Sequence, residues 1–461
     1  MNIIPAFSLE NFKSFGPKQR IPLNKITFLF GPNSQGKSTI LSALGILMNG
    51  LLENVFQLDR LARVDNSLDL IFGENLINNR SKEKYFSISS EEIDPFFGKA
   101  HLELVFDVWN LSGRGLKQIS VYQLKENQRE FIFSINEESV SVNFNAEYCE
   151  AIFSDSENEE SYHEQLKGSG TIEFDNLEID LQNLQVLPIT DYNNYINNLE
   201  LEGADEASII NQMMEHLFFI FDEPDEKHFE HFDWIGPNRI VPAKSFSIEN
   251  EKAFIKDGYL NHESVTKLND WLKHTNVIDI GYELVLLDEQ NEINHPLKGE
   301  RLKKIGVKKS DSESIFKLSE VGSGISHLFM ILITLFNDVD LFVIEQPELH
   351  LHPSMQVQLA RACFELANRN KTRLIIETHS EHFIKAAQLE IAKGLNQEKP
   401  ILSKDDLSVL YVAKDGDGFS KIKQMELDET GAFTEPWPDD FFELSADLSL
   451  ERLRESYKSR N

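Results

Sequence analysis

Residues Lys25–Thr39 read KITFLFGPNSQGKST. The opening KITFLF (25–30) is β-branched and aromatic, which suits a short buried strand. It runs straight into GPNSQGKST (31–39), a fit to the phosphate-loop pattern G-x-x-x-x-G-K-[ST]. After it, TILSALGILMNGLL carries Ile40, Leu44 and Leu47 at helical spacing. Each residue type has a job in such a loop. Gly31 and Gly36 permit the tight turn, and backbone N–H groups through Pro32, Asn33, Ser34 and Gln35 wrap an anion. Lys37 reaches the terminal phosphates, Ser38 offers a hydroxyl to Mg²⁺, and Thr39 continues into the helix whose N-terminus favours negative charge. A chance match in a glycine-containing loop is the alternative, and the strand–loop–helix frame argues against it. The stretch predicts an α/β fold that binds ATP with Mg²⁺.

A second stretch, LFVIEQPELHLHP (341–353), pairs with the first. Its apolar run ends in Glu345, where a Mg²⁺-coordinating acid belongs in phosphate-loop folds. Glutamate is one methylene longer than the aspartate usually found there, so the metal is expected to be held through water or a shifted strand. Gln346 takes the position that normally polarises the attacking water; it orients a water but cannot accept its proton. Phosphoryl transfer depends mostly on positioning and electrostatics, so hydrolysis should be slowed and not abolished. Glu348 reads two ways, as a partial substitute for the missing carboxylate or as a surface acid at the turn. Further on, LIIETHS ends a second apolar strand, and His379 is placed to donate a hydrogen bond near a terminal phosphate. His350 and His352 alternate in HLHP, but no third ligand is apparent, and a structural turn is the expectation.

Composition bounds the rest. At 461 residues and 41% hydrophobic content the chain should bury a sizeable core in two or three units. The net charge of −31 excludes a uniformly nucleic-acid-coating protein and disfavours adsorption to anionic membranes. Two cysteines in no metal-ligand spacing, an N-terminus without a signal-peptide pattern, and no apolar block long enough to span a bilayer predict a cytoplasmic protein. Between about 100 and 190, alternating segments such as HLELVFDVW, QISVYQL and SVSVNF predict antiparallel sheet, interrupted by an acidic loop at 154–161. Helices are expected at 204–221, 263–274, 325–337, after Pro353 and near 448–457, and a hairpin turn at KDGDG (414–418).

Taken in order, the phosphate loop, LSEVGSGISHLF (318–329), the acidic strand and ETHS (377–380) resemble the ATP-binding-cassette ATPases related to SMC and RecF proteins, in particular the bacterial OLD-like group. The resemblance implies an ABC-type P-loop ATPase head whose two copies close face to face, each phosphate loop meeting the partner's signature motif. Ser323 and Gly324 match that motif's role, although residues 318–329 depart from its usual wording. SLENFKSFGP, WIGPNRIVPAKSF (234–246), EQPELHLHP and GAFTEPWPDDFFE (431–443) look like one bacterial subfamily that ends in a small domain with a WP..FF motif. In it the Glu-Gln pair is common. Relatives occur in anti-phage systems beside a separate nuclease or other effector; the PARIS and Septu ATPases are similar in kind. No Toprim nuclease domain is expected here, and no long coiled coil.

On this resemblance the chain divides into the N-terminal half of the head (1–70), a β-rich and helical insertion (71–310), the C-terminal half of the head (311–400) and a small C-terminal domain (401–461). The function it implies is a slow ATPase acting as a nucleotide-dependent switch, as a homodimer or higher oligomer with a separate effector. The alternative is a RecF-like ATP-dependent DNA-binding protein of repair. For that reading the candidate contact is KGERLKKIGVKK (298–309), with Arg301, Lys303, Lys304, Lys308 and Lys309, against a solvated hairpin that balances the molecule's own acids. Arg239 in GPNR is expected to make a structural ion pair or to approach nucleotide.

Overall fold

A computed structural model describes residues 4–53, 85–93, 100–107, 116–124, 128–135, 139–145, 169–175, 178–180, 185–187, 232–236, 262–288, 303–336, 339–395, 397 and 400–438. In chain order the elements begin with β1 (Ala6–Glu10), β2 (Gln19–Pro22), β3 (Ile26–Phe30), α1 (Lys37–Glu53), β4 (Tyr85–Ile93), β5 (Ala100–Asp107) and β6 (Leu116–Leu124). Next come β7 (Gln128–Ile135), β8 (Ser139–Asn145), β9 (Ser169–Asp175), β10 (Glu178–Asp180), β11 (Gln185–Leu187) and β12 (Phe232–Ile235). They continue with α2 (His262–His274), β13 (Tyr282–Asp288), β14 (Lys303–Lys309), β15 (Ile315–Lys317), α3 (Ser323–Phe336) and β16 (Leu341–Glu345). The last are α4 (Pro353–Asn370), β17 (Arg373–Glu377), α5 (Glu381–Gly394), β18 (Leu407–Lys414) and β19 (Ser420–Gln424). The expected helices at 204–221 and 448–457, the acidic run at 154–161, Arg239 and Arg301 lie outside the described residues.

The chain forms two compact units interleaved in sequence, one of Met1–Leu23, Asn33–Phe232 and Val412–Ile422, the other of Asn24–Pro32, Asp233–Tyr411 and Lys423–Asn461. In the first, an antiparallel sheet runs β2-β1-β4-β5-β6-β7-β8-β9, with Phe7 opposite Ile21 on one side and Ser90 on the other. The period-two segments between 100 and 175 become its strands. The turn after β1 adds Phe12, whose ring lies 4.9 Å from that of Phe86. Helix α1 buries Ile40, Leu44 and Leu47 as the spacing predicts, and also Leu41, Ala43, Ile46 and Met48. It is apolar nearly all round, and such a helix belongs in a core, not on a surface.

The second unit holds a parallel sheet in the order β16-β17-β3-β18, with β12 beyond β16. LFVIE, RLIIE and ITFLF are buried and mostly apolar, as strands covered on both faces must be. Their register sets Glu345 opposite Glu377 and Glu377 opposite Leu29, so three strands end at one level. Helix α4 starts on Pro353 at its first position, with His352 as N-cap, and stops at Lys371 in the left-handed region (φ 60°). Its buried Leu359, Ala360, Cys363, Phe364, Leu366 and Ala367 recur at helical spacing, and Phe364 meets Phe28 of β3 edge-on at 6.2 Å. Arg361 of α4 pairs with Glu390 of α5 at 2.7 Å, which lets the 3%-exposed carboxylate stay inside. The WP motif also has a place: Trp437 packs edge-on against Phe30, Tyr411 and Phe433 at 5.4, 6.0 and 4.9 Å. Among the described residues no helix is long and apolar enough to cross a membrane.

Candidate functional site

Two groups of the expected residues take distinct local forms, one at the phosphate loop and one at the ends of two parallel strands. The phosphate loop leaves β3 at Gly31 (φ 142°), passes Ser34 in the left-handed region (φ 60°) and turns into α1 at Gly36 (φ 114°). A Cβ at Gly36 would lie 2.6 Å from Ser420 Oγ, 2.8 Å from Ser14 Oγ and 3.0 Å from the Phe15 ring, so only glycine fits. The first helical bond runs from Ile40 N–H to the Gly36 carbonyl at 3.1 Å, and the N–H groups before it precede the intrahelical ladder. Lys37 is 4% exposed and Ser38 is exposed.

Residues the sequence reading passed over brace this loop. Ser420 Oγ donates to the Gln35 carbonyl at 2.5 Å, and the Lys414 N–H donates to Gln35 Oε1 at 2.9 Å. The Ser420 N–H bonds the Ser14 carbonyl at 2.9 Å, while Ser14 Oγ approaches Thr39 Oγ1 at 3.4 Å. Ser420 comes from the strand after KDGDG. That segment is a hairpin turn, as expected: Asp415 Oδ1 accepts from the N–H groups of Asp417 and Phe419 at 3.0 and 2.9 Å.

The second group gathers at the ends of β16 and β17. Glu345, 8% exposed, accepts a hydrogen bond at Oε1 from the Trp234 indole at 2.8 Å. Gln346 sits in the left-handed region (φ 46°), with its N–H bonded to the Glu377 carbonyl at 2.7 Å. A non-glycine residue held there stores backbone strain, and strain of this kind concentrates at functional positions. Glu348 is no surface acid. Its Oε2 accepts from Thr378 Oγ1 at 2.7 Å and its Oε1 from the His379 N–H at 2.8 Å. Thr378 in turn accepts from the Ser380 N–H at 3.0 Å, and Ser380 Oγ donates to Gln356 Oε1 of α4 at 2.6 Å. Gln356 Nε2 closes the circuit on the Leu351 carbonyl at 2.9 Å. Glu348 thus ties the acidic strand to the turn that carries His379.

Glu377 was also missed. It is 3% exposed, in register with Glu345, and closes RLIIE as Glu345 closes LFVIE. That shared pattern of four residues ending in a buried carboxylate was the available signal. Among the described residues no group of three or more His, Cys, Asp or Glu gathers as a metal cage. Mg²⁺ at nucleotide phosphates takes one or two carboxylates, a hydroxyl and water, and donors of the Glu345 and Ser38 kind fit that demand.

Ser323 and Gly324 open α3. A Cβ at Gly324 would stand 2.5 Å from the His350 carbonyl, so the helix start lies directly on the turn after the acidic strand. That turn uses both histidines structurally: His350 is left-handed (φ 62°), and His352 Nδ1 caps α4 through the Ser354 N–H at 3.3 Å. In the basic segment, Lys308 pairs with Glu313 at 2.8 Å and Lys309 with Asp311 at 2.9 Å. These hydrogen bonds raise both ammonium pKa values and lower that of Asp311. Lys303 and Lys304 lie on β14.

No curated protein matches the sequence. Several solved structures are similar to it. One is an Smc head bound to the C-winged helix domain of ScpA, at 13% identity, 92% of this chain, 98% of that chain and a TM-score of 0.48. Another is an Smc head with an extended coiled coil bound to the C-terminal domain of ScpA derived from Pyrococcus furiosus, at 14%, 92%, 97% and 0.44. The SMC head domain from Thermotoga maritima gives 12%, 92%, 98% and 0.38. TM-scores under 0.5 mark loose likenesses, and the assignment stands on sequence. The family described as AAA ATPase domain matches residues 3–384, a span that takes in the phosphate loop, both acidic strands and the Thr378–Ser380 turn. The chain belongs to the AAA ATPase domain family.

Proposed function

We propose that this chain is a slowly hydrolysing ATP switch with an ABC-type head, and that ATP closes two heads while hydrolysis sets the lifetime of the closed state. One observation carries the reading. Gln346, which cannot take a proton, follows the buried Glu345, while both oxygens of Glu348, the alternative base in the same turn, already accept hydrogen bonds that hold the His379 turn. The chain's own groups then divide the work. The loop from Gly31 to Thr39 holds the phosphates, and Lys37 offsets their charge. Glu345 and Ser38 are each of the donor type that would hold Mg²⁺, and that cation would supply charge stabilisation at the phosphate oxygens. The Gln346 amide orients the attacking water, and His379 donates to the terminal phosphate. Ser323 and Gly324 belong to the surface that meets the second head. A general base typically contributes about 10²–10⁴-fold, so a site that only orients its water is slow.

The WP..FF tail and the Glu-Gln pair support membership of the bacterial subfamily whose relatives act beside a separate effector in anti-phage defence, with residues 71–310 as the insertion that senses the trigger. The ion pairs at Lys308 and Lys309 weigh against the DNA-clamp alternative.

The test is phosphate release by the full chain beside Lys37→Ala and Gln346→Glu. Wild type should exceed Lys37→Ala, and Gln346→Glu should release phosphate at least about tenfold faster. Release no higher than Lys37→Ala would make the chain a scaffold without turnover. A wild-type rate in the tens per second, unchanged by Gln346→Glu, would end the switch reading.

A further inference from the structure

We infer that Trp234 is a positioning residue for Glu345, its indole N–H fixing the carboxylate so that a glutamate serves as cation ligand where an aspartate is usual. The inference rests on the nucleotide-and-Mg²⁺ reading above.

Trp234 lies on β12, the neighbour of β16, and donates through Nε1 to Glu345 Oε1 at 2.8 Å. An indole is a donor only. It cannot ligate a metal or accept a proton, so presenting one N–H to one oxygen is its whole polar chemistry. On the opposite side of Glu345 stands Glu377, in register on β17 and 3% exposed. Paired positions on adjacent parallel strands share a face at a strand spacing of about 4.8 Å, so Glu377 occupies one flank of Glu345 and the indole the other. Gly236, two residues past Trp234, flanks the same oxygen: a Cβ there would stand at an ordinary contact distance of 3.5 Å from Oε1.

Glutamate has one more rotatable bond than aspartate, and that freedom blurs where its second oxygen points. Charge-assisted bonds to one oxygen remove it, as outer partners of metal-binding carboxylates do, and losing such a partner commonly weakens metal binding about tenfold or more. The geometry assigns this work to Trp234.

The experiment uses the full chain with a non-hydrolysable ATP analogue. Mn²⁺ is titrated by calorimetry, and analogue binding is measured separately in chelator. Trp234→Phe keeps the ring and removes the donor. It should weaken Mn²⁺ binding about tenfold while leaving metal-free analogue binding within twofold. In a Glu345→Asp background, whose carboxylate is too short to reach the indole, the same change should have no further effect. Mn²⁺ affinity within twofold of wild type would overturn the inference. So would equal losses with and without metal, which mark general damage.

Should Trp234→Phe fail to fold, wild type labelled with 5-fluorotryptophan supplies the answer. The Trp234 fluorine resonance, assigned by its shift in Glu345→Gln, should move when Mg²⁺ joins the analogue complex; an unmoved resonance overturns the proposal. A wild type that binds the analogue with no metal dependence would defeat the Mg²⁺ reading itself, an outcome distinct from a metal-dependent wild type with an indifferent Trp234→Phe.

Discussion

The phosphate loop and the acidic strand end are built on opposite plans. The loop is made almost entirely from consecutive residues: β3, Gly31 to Gly36, then α1, shaped by two positive-φ glycines and one left-handed serine. The strand end is assembled from a distance. Glu345 depends on Trp234, 111 positions earlier, and Glu348 on His379, 31 positions later. A local device is robust to change elsewhere and intolerant of change within. An assembled one responds to change in any segment that contributes to it.

The largest effect should therefore come from inside the loop. In Gly36→Ala a methyl group meets Ser420 and Ser14 at a φ of 114°, and relief requires the loop to open. ATP-analogue affinity should fall about 100-fold, the equivalent of roughly 3 kcal/mol of strain. Ser420→Ala removes only an outer brace, and a loss of a few-fold is expected. If Ser420→Ala proved as severe as Gly36→Ala, the loop would not be self-sufficient and the contrast between the two regions would fail.

Next come Glu348→Ala and Glu348→Gln, which probe the assembled region. Alanine leaves Thr378 Oγ1 and the His379 N–H without their acceptor, at a cost of about 1–3 kcal/mol in stability. Thermal unfolding should show it, and phosphate release should fall with it. Glutamine keeps an oxygen for the His379 N–H and should retain most of both. Equal loss of phosphate release in the two variants, with glutamine at wild-type stability, would make Glu348 a base and not a tie.

Much of the fold was legible because its causes are local. LFVIE, RLIIE and ITFLF announce covered parallel strands; the HLHP turn ending in Pro353 announces α4; alternation between 100 and 175 announces antiparallel sheet. The candidate residues around Gly36, Glu345 and His379 were legible for the same reason. Trp234 and Ser420 were not, since their partners lie 111 and 385 positions away and neither residue sits in a spacing that implies one. Glu348 was half legible: its place in EQPE marked it, but only the turn it holds separates a tie from an exposed acid. Gly324 reads in sequence as the opening of a helix that matches the signature role. It proves to be a close approach, and Gly324→Ala, pressing on the His350 carbonyl from 2.5 Å, should cost about 1–3 kcal/mol in thermal unfolding. Full stability in that variant would show that the turn after the acidic strand yields easily.

The smallest expected effect is at the basic hairpin, where composition and structure part ways. KGERLKKIGVKK looks like a polyanion patch, yet Lys308 and Lys309 each bond a carboxylate within a few residues, Glu313 and Asp311. The pairing raises both ammonium groups above their ordinary 10.5 and draws Asp311 below its ordinary 3.8. For a raised base, what the pair contributes is present below the unfolded pKa and lost as pH climbs through the folded one. For a depressed acid it is present above the unfolded pKa and lost as pH falls through the folded one. Both limits lie outside the range from about pH 5 to 9, so the pairs persist throughout it. A lysine that neutralises a phosphate steepens the salt dependence of duplex binding by about 0.9, and two would add about 1.8. Lys308→Gln with Lys309→Gln should change that slope by less than about 0.5 and duplex affinity by less than about twofold, alike at pH 6 and pH 8. A fall in slope near 1.8 would mean that these lysines leave their carboxylates for phosphate, and the hairpin would then be an assembled nucleic-acid contact, on the plan of the strand end.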